Sequence, residues 1–138
     1  MLGINYWAVT VAAVAAFVVS AVWYIGFGNE LAKLSAAYAD TQSPPAWKML
    51  AEFVRSLIVA YMLARFAMLL GGSNWKSALR LGAWIWIFPA VILAGAVLHE
   101  NVPWMLAAIH AGDWLIKLLV MSAIIGVWTG KGKKEKQK

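Results

Sequence analysis

Near the C-terminus, in the stretch IHAGDWLIKLLVMSAIIGVW, His110, Asp113 and Lys117 follow one another three and four residues apart. On a helix turning about 100° per residue they fall within an arc of about 60°. One face thus carries an imidazole, a carboxylate and an ammonium, with Asp113 and Lys117 at the spacing where opposite charges on a helix meet. Lys48, Glu52 and Arg55 fill another arc of about 60° on an earlier apolar segment. Imidazole and carboxylates are suited to proton exchange, because burial and neighbouring charges move their pKa values toward neutrality. Glu52, Arg55, His110, Asp113 and Lys117 are therefore the candidate ligand, ion or proton site.

These charges sit in an unusually oily chain. Of 138 residues, 63% are hydrophobic and 13% charged, with a mean hydropathy of +0.73. A soluble domain is roughly half apolar and about a quarter charged, so this composition belongs to a membrane protein. Nine tryptophans agree with that, since the indole favours the membrane interface. Cysteine is absent, which excludes disulfides, thiolate metal sites, iron–sulfur clusters and cysteine nucleophiles. No HExxH, GxSxG or Walker-type loop occurs. His99 and His110 alone do not indicate a bis-histidine haem. The expectation is a protein without catalytic residues, cofactor or metal.

A spanning helix needs about 20 apolar residues. Four segments qualify on this reading: about 4–28, 47–70, 77–98 and 103–129. The second is interrupted by Glu52, Arg55 and Arg65, the third contains Pro89, and the fourth starts at Pro103, suited to a first helical turn. Between the first two, Leu31, Leu34 and Tyr38 recur at i, i+3 and i+7, a pattern for a short amphipathic helix on the membrane surface. The fold class expected is all-α: an integral membrane four-helix bundle with that surface helix, forming a single domain over residues 1–130. Ala8, Ala12, Ala16 and Ser20 form a small-residue stripe on the first helix that lets another helix approach closely.

The tail at 131–138 is basic, with Lys131, Lys133, Lys134, Lys136 and Lys138 against Glu135. Directly after a hydrophobic segment it marks the cytoplasmic side and contacts anionic lipid headgroups. Nucleic acid is not indicated, because no aromatic–basic platform accompanies the tail. Four crossings then place both termini in the cytoplasm, with Lys76 and Arg80 inside and Glu100 outside. The second and fourth helices both begin at the outer surface. Glu52 and Arg55 reach depths comparable to His110 and Asp113, which predicts a polar cluster with Arg55 facing Asp113 and Glu52 near His110 or Lys117. An isolated charge at the bilayer centre costs about 3 kcal/mol or more, and pairing or water would relieve it. The cluster reads either as a functional site or as a neutral ion-pair network that fixes helix register.

The opening INYWAVTVAAVAAFVVSAVWYIGFG and the closing LHENVPWMLAAIHAGDWLIKLLVMSAIIGVW resemble a small bacterial membrane family, domain of unknown function 1761. The likeness lies in the Ala-rich first helix ending in Trp-Tyr before two glycines. It continues in the acidic turn, the Pro-Trp start, the Ala-Gly pair and the Gly-x-Trp close of the last helix. The resemblance implies a four-helix protein of the bacterial inner membrane and carries no activity. Asp113 and Lys117 depart from the more neutral residues it implies there. Two functions fit the sequence: a small transporter- or channel-like or ligand-binding protein, expected to form a homo-oligomer because four helices enclose little space, and a non-catalytic accessory or scaffold subunit of a membrane complex.

Overall fold

The computed structural model describes residues 3–40, 43–71 and 74–135, with side chains to residue 129. Among these the chain is helical throughout: α1 (Tyr6–Gly26), α2 (Gly28–Leu34), a 3-10 turn (Ala36–Tyr38), α3 (Ala46–Leu69), α4 (Trp75–His99) and α5 (Trp104–Glu135). Local chemistry sets the boundaries. Asn5 caps α1 by accepting from the Ala8 amide at 3.1 Å, and Asn74 caps α4 by accepting from the Ser77 amide at 2.9 Å. Pro45 precedes α3, while Gly71 with φ of +66° ends the turn after it. Asn101 takes φ of +56° in the connection from α4 to α5, a conformation Asn tolerates better than most residues.

α1, α4 and α5 each contain a stretch long and apolar enough to cross a membrane: Tyr6–Gly26, Trp75–His99 and Trp104–Thr129. α3, with 24 residues, is long enough but is not among them. Lys48, Glu52, Arg55 and Arg65 lower its apolarity, so length and composition mark three crossings where the sequence led us to expect four. Two further expectations are corrected. α5 does not stop at 129 but continues to Glu135, so the start of the basic tail is helical. The surface helix ends at Leu34, leaving Tyr38 in the separate 3-10 turn. Of the tail lysines, Lys136 and Lys138, and the side chains of Lys131, Lys133 and Lys134, lie outside the described residues.

α5 is the central element. α4 packs along one side of it and hardly touches α3; α1 packs on another side, and α3 lies against α1 and the edge of α5. The core is built from small and medium side chains: Ala12, Ala13 and Ala16 of α1, Ala60 and Leu63 of α3, Leu118, Met121 and Ile125 of α5. Ala8, Ala12, Ala16 and Ser20 are all buried, so the four-residue stripe is a packing face. At the α4–α5 contact, Gly82 meets the Ser122 side chain and the Leu118 carbonyl, while Gly126 meets Ala78 and the Trp75 backbone. Large apolar side chains such as Trp7, Ile25, Trp84, Phe88 and Leu98 point outward. In water such a surface would aggregate; against lipid it is solvated.

At one end of the bundle α1 finishes and α3 and α5 begin. α2 folds over this end, its Leu31 fully buried. The Trp23 indole rests on Gly112 and donates to the Ile109 carbonyl at 3.0 Å. Across the α4–α5 contact the Trp86 indole donates to the Ala111 carbonyl at 2.8 Å. Two tryptophans from opposite sides thus fix the first turns of α5, the part that carries the charges.

Candidate functional site

Lys117 is the hub. Its Nζ lies 2.7 Å from Glu52 Oε1 on α3 and 3.2 Å from Asp113 Oδ2 one turn back on α5. Glu52 holds Arg55 through its other oxygen, at 2.7 Å. The resulting chain Asp113–Lys117–Glu52–Arg55 contains two carboxylates and two cations, so its formal charges cancel. Trp114 lies beside it, with the Lys117 ammonium 4.9 Å and the Arg55 guanidinium 5.6 Å from its ring centroid, a cation–π arrangement that gives both cations a further partner. Burial is uneven. The side chains of Asp113 and Lys117 are 3% and 4% exposed, that of Glu52 29% and that of Arg55 57%. The network is closed on the α5 side and open along α3.

One atom of the ion-pair chain itself is left over. Asp113 Oδ1 is buried with no hydrogen-bond partner, as are Ser56 Oγ on α3 and Ser122 Oγ on α5. A buried acceptor without a donor carries a desolvation cost of about 1–3 kcal/mol, more when it is charged. Ser56 follows Glu52 by one turn, so its orphan hydroxyl continues the same face of α3.

His110 joins a second cluster at the same end of the bundle. The Tyr24 hydroxyl lies 2.6 Å from His110 Nδ1. The Tyr24 ring stacks on Tyr38 with centroids 6.3 Å apart and planes 5° from parallel, and the His110 ring lies 6.2 Å from that of Tyr38. Tyr38 belongs to the turn outside the long helices; partial burial holds its phenol above the usual range, and the Asp113 and Glu52 carboxylates add to the effect.

The five residues singled out from the sequence thus lie at one end of the bundle, with partners that differ in part from those expected. Glu52 meets Lys117. Arg55 does not face Asp113: it pairs with Glu52 on its own helix, because Lys117 already occupies Asp113 Oδ2. His110 pairs with Tyr24 rather than with Glu52. Sequence reasoning missed Tyr24, Tyr38 and Trp114. For Tyr24 the sequence held half of the signal: an aromatic at the end of α1 and a histidine near the start of an antiparallel α5 share one depth, but depth leaves the rotation of α1 open. Among the described residues no group of three or more His, Asp or Glu is arranged to hold a metal ion. An open apolar groove of about 400 Å³ along α1, lined by residues including Val22, Phe27 and Ile116, contains no titratable side chain.

Three helices long and apolar enough to cross a membrane mark an α-helical membrane protein. The family model for a protein of unknown function, DUF1761, matches residues 7–126, and the chain belongs to that family. No curated protein and no solved structure matches it.

Proposed function

We propose that all four long helices cross the membrane and that the Glu52–Lys117–Asp113 network is a wet, transport-like site for a small polar solute or ion. α3 becomes the fourth crossing because two of its four charges are answered by neighbours, Glu52 by Lys117 and Arg55, and Arg55 also by Trp114, while Lys48 and Arg65 lie toward its two ends. The topology that follows from the lysines and arginines has both termini in the cytoplasm of a bacterial cell, with the tail lysines on anionic headgroups of the inner membrane. The protein is non-catalytic in this reading and works as a homo-oligomer.

The observation that carries the proposal is the orphan Asp113 Oδ1, a charged acceptor at 2% residue exposure without a donor. A network serving only to lock helices has no use for an unsatisfied oxygen, whereas a site that binds and releases does. The accessory-subunit reading predicts instead a dry, permanent interlock.

The chain has no cysteine, so single-cysteine variants report water cleanly. Ser56→Cys in native membranes is expected to react with a charged, membrane-impermeant thiol reagent, while Ile58→Cys, on the 59% exposed lipid-facing position, stays inert. If Ser56→Cys is as unreactive as Ile58→Cys, the network is dry and the transport-like reading fails.

A further inference from the structure

We propose that the ion this site takes up is a proton, that Asp113 is its acceptor, and that Tyr24 and His110 pass it inward from the end of the bundle where α5 begins. This inference rests on the wet-site reading above.

The two carboxylates are not equivalent. Both oxygens of Glu52 are engaged, one by Lys117 and one by Arg55. Asp113 has one oxygen held by Lys117, at the longer distance of 3.2 Å, and the other has no donor. A proton added at Asp113 Oδ1 therefore breaks no existing hydrogen bond. It also leaves each cation a carboxylate, since Lys117 and Arg55 both remain on Glu52. A proton added to Glu52 would remove the shared counter-ion of two cations at once. The arrangement selects Asp113.

The route follows from helix geometry. His110 precedes Asp113 by one turn on the same face of α5, nearer the end of the bundle. His110 Nδ1 is bound to the Tyr24 hydroxyl, and Tyr24 stacks on the exposed Tyr38. The groups facing this path are Tyr24 from α1, Tyr38 from the 3-10 turn, Glu52 and Arg55 from α3, and Asp113 and Lys117 from α5; α4 contributes the non-titrating Trp86.

The step balances. Hydronium gives its proton to His110 Nδ1 as the Tyr24 hydroxyl rotates from donor to acceptor, leaving water. The proton on His110 Nε2 then passes to Asp113 Oδ1 through the water of the wet site, since the two groups are not hydrogen-bonded to each other, and His110 is left neutral with its proton on Nδ1. His110 regains its starting tautomer when water gives a proton to Nε2 and takes one from Nδ1, so that the ring stays neutral throughout, and the Tyr24 hydroxyl then rotates back to the donor position.

Dicyclohexylcarbodiimide, a lipid-soluble reagent that attacks protonated carboxyls, provides the test on the full chain in right-side-out and inside-out membrane vesicles, read by mass spectrometry. Acidifying the aqueous phase on the Tyr38 side is expected to label Asp113, and acidifying the opposite side is not. His110→Gln should slow that labelling on the order of a hundredfold, the contribution of a positioned proton-transfer group, and Tyr24→Phe should slow it less. The unfolding midpoint of each variant is measured alongside, so that loss of fold is not mistaken for loss of the path. Labelling of Glu52 in place of Asp113, equal labelling from both sides, or indifference to His110→Gln overturns the proposal. If Asp113 is never labelled while Ser56→Cys is water-accessible, the proton assignment falls and the wet site stands. If both are inert, the two fall together.

Discussion

Lys117 Nζ on α5 lies closer to Glu52 Oε1 on α3, at 2.7 Å, than to Asp113 Oδ2 on its own helix, at 3.2 Å. α3 packs chiefly on α1 and meets α5 only along an edge, so this charge-assisted bond is the polar tie between the least apolar long helix and the central one. A single ammonium serves two carboxylates, and the balance between them governs how firmly α3 is held. Release of Asp113 would leave Lys117 with Glu52; release of Glu52 would leave α3 held chiefly by its packing on α1.

That balance predicts a non-additive mutant pair. Lys117→Met leaves the Asp113 carboxylate buried without its cation, and removing one partner of a buried pair costs about 3–5 kcal/mol. Adding Asp113→Leu removes the stranded charge and should recover most of the loss, because replacing a whole buried pair with apolar groups is often close to neutral. Thermal unfolding in nanodiscs reads both variants. A double variant no more stable than Lys117→Met would show that the two residues are not energetically coupled.

Much of this was legible beforehand. Apolar runs marked the long helices, and counting depth from their starts brought Glu52 to the charged face of α5. The Arg55 partner was not legible, because it depended on which of two cations reached Asp113 first. A lysine one turn along the same helix reaches back to it, leaving Arg55 to Glu52 and the face of Trp114. The Tyr24–His110 bond was hidden for a different reason. α1 is apolar around most of its circumference, so periodicity does not fix its rotation, and only packing of Trp23 on Gly112 sets where Tyr24 points. The peripheral place of α4 was equally invisible: α4 and α1 read alike in sequence, and the close approaches at Gly82 and Gly126 decide which face meets α5.

Those close approaches separate glycines on one helix. A Cβ at Gly82 would lie 2.9 Å from the Leu118 carbonyl and collide with the Ser122 hydroxyl, whereas one at Gly95 would meet nothing within 4 Å. Gly82→Ala must lift α4 from α5 and should cost about 1–3 kcal/mol, as overpacking does. Gly95→Ala should be neutral or stabilising by up to about 1 kcal/mol, through helix propensity. Equal unfolding midpoints for the two variants would contradict the packing described.

Gly112 poses a sharper case, because its neighbour cannot retreat. A Cβ there would come 2.6 Å from Trp23 Cζ2, and the indole is tethered through its N–H to the Ile109 carbonyl. Gly112→Ala should displace the ring and lose that hydrogen bond, about 0.5–1.5 kcal/mol on top of the steric cost. Restoration of stability in Gly112→Ala by Trp23→Leu, measured as a double-mutant cycle, would locate the clash; strict additivity would place it elsewhere.

The Tyr24–His110 bond fixes a proton whose position can be measured. A phenol is the stronger donor of the two, so the Tyr24 hydroxyl is expected to donate into a bare Nδ1, which puts the proton of neutral His110 on Nε2. With two histidines in the chain, nitrogen-15 NMR in nanodiscs can be assigned from a single His99→Gln variant. The expected spectrum at alkaline pH shows His110 as the Nε2–H tautomer. Tyr24→Phe, which keeps the ring but removes the donor, should shift the population toward a mixture and cost about 1 kcal/mol. A His110 already in the Nδ1–H form would mean that the imidazole donates to the tyrosine oxygen. Its Nε2 would then have no proton to give, and inward transfer through that atom would be barred at its first step.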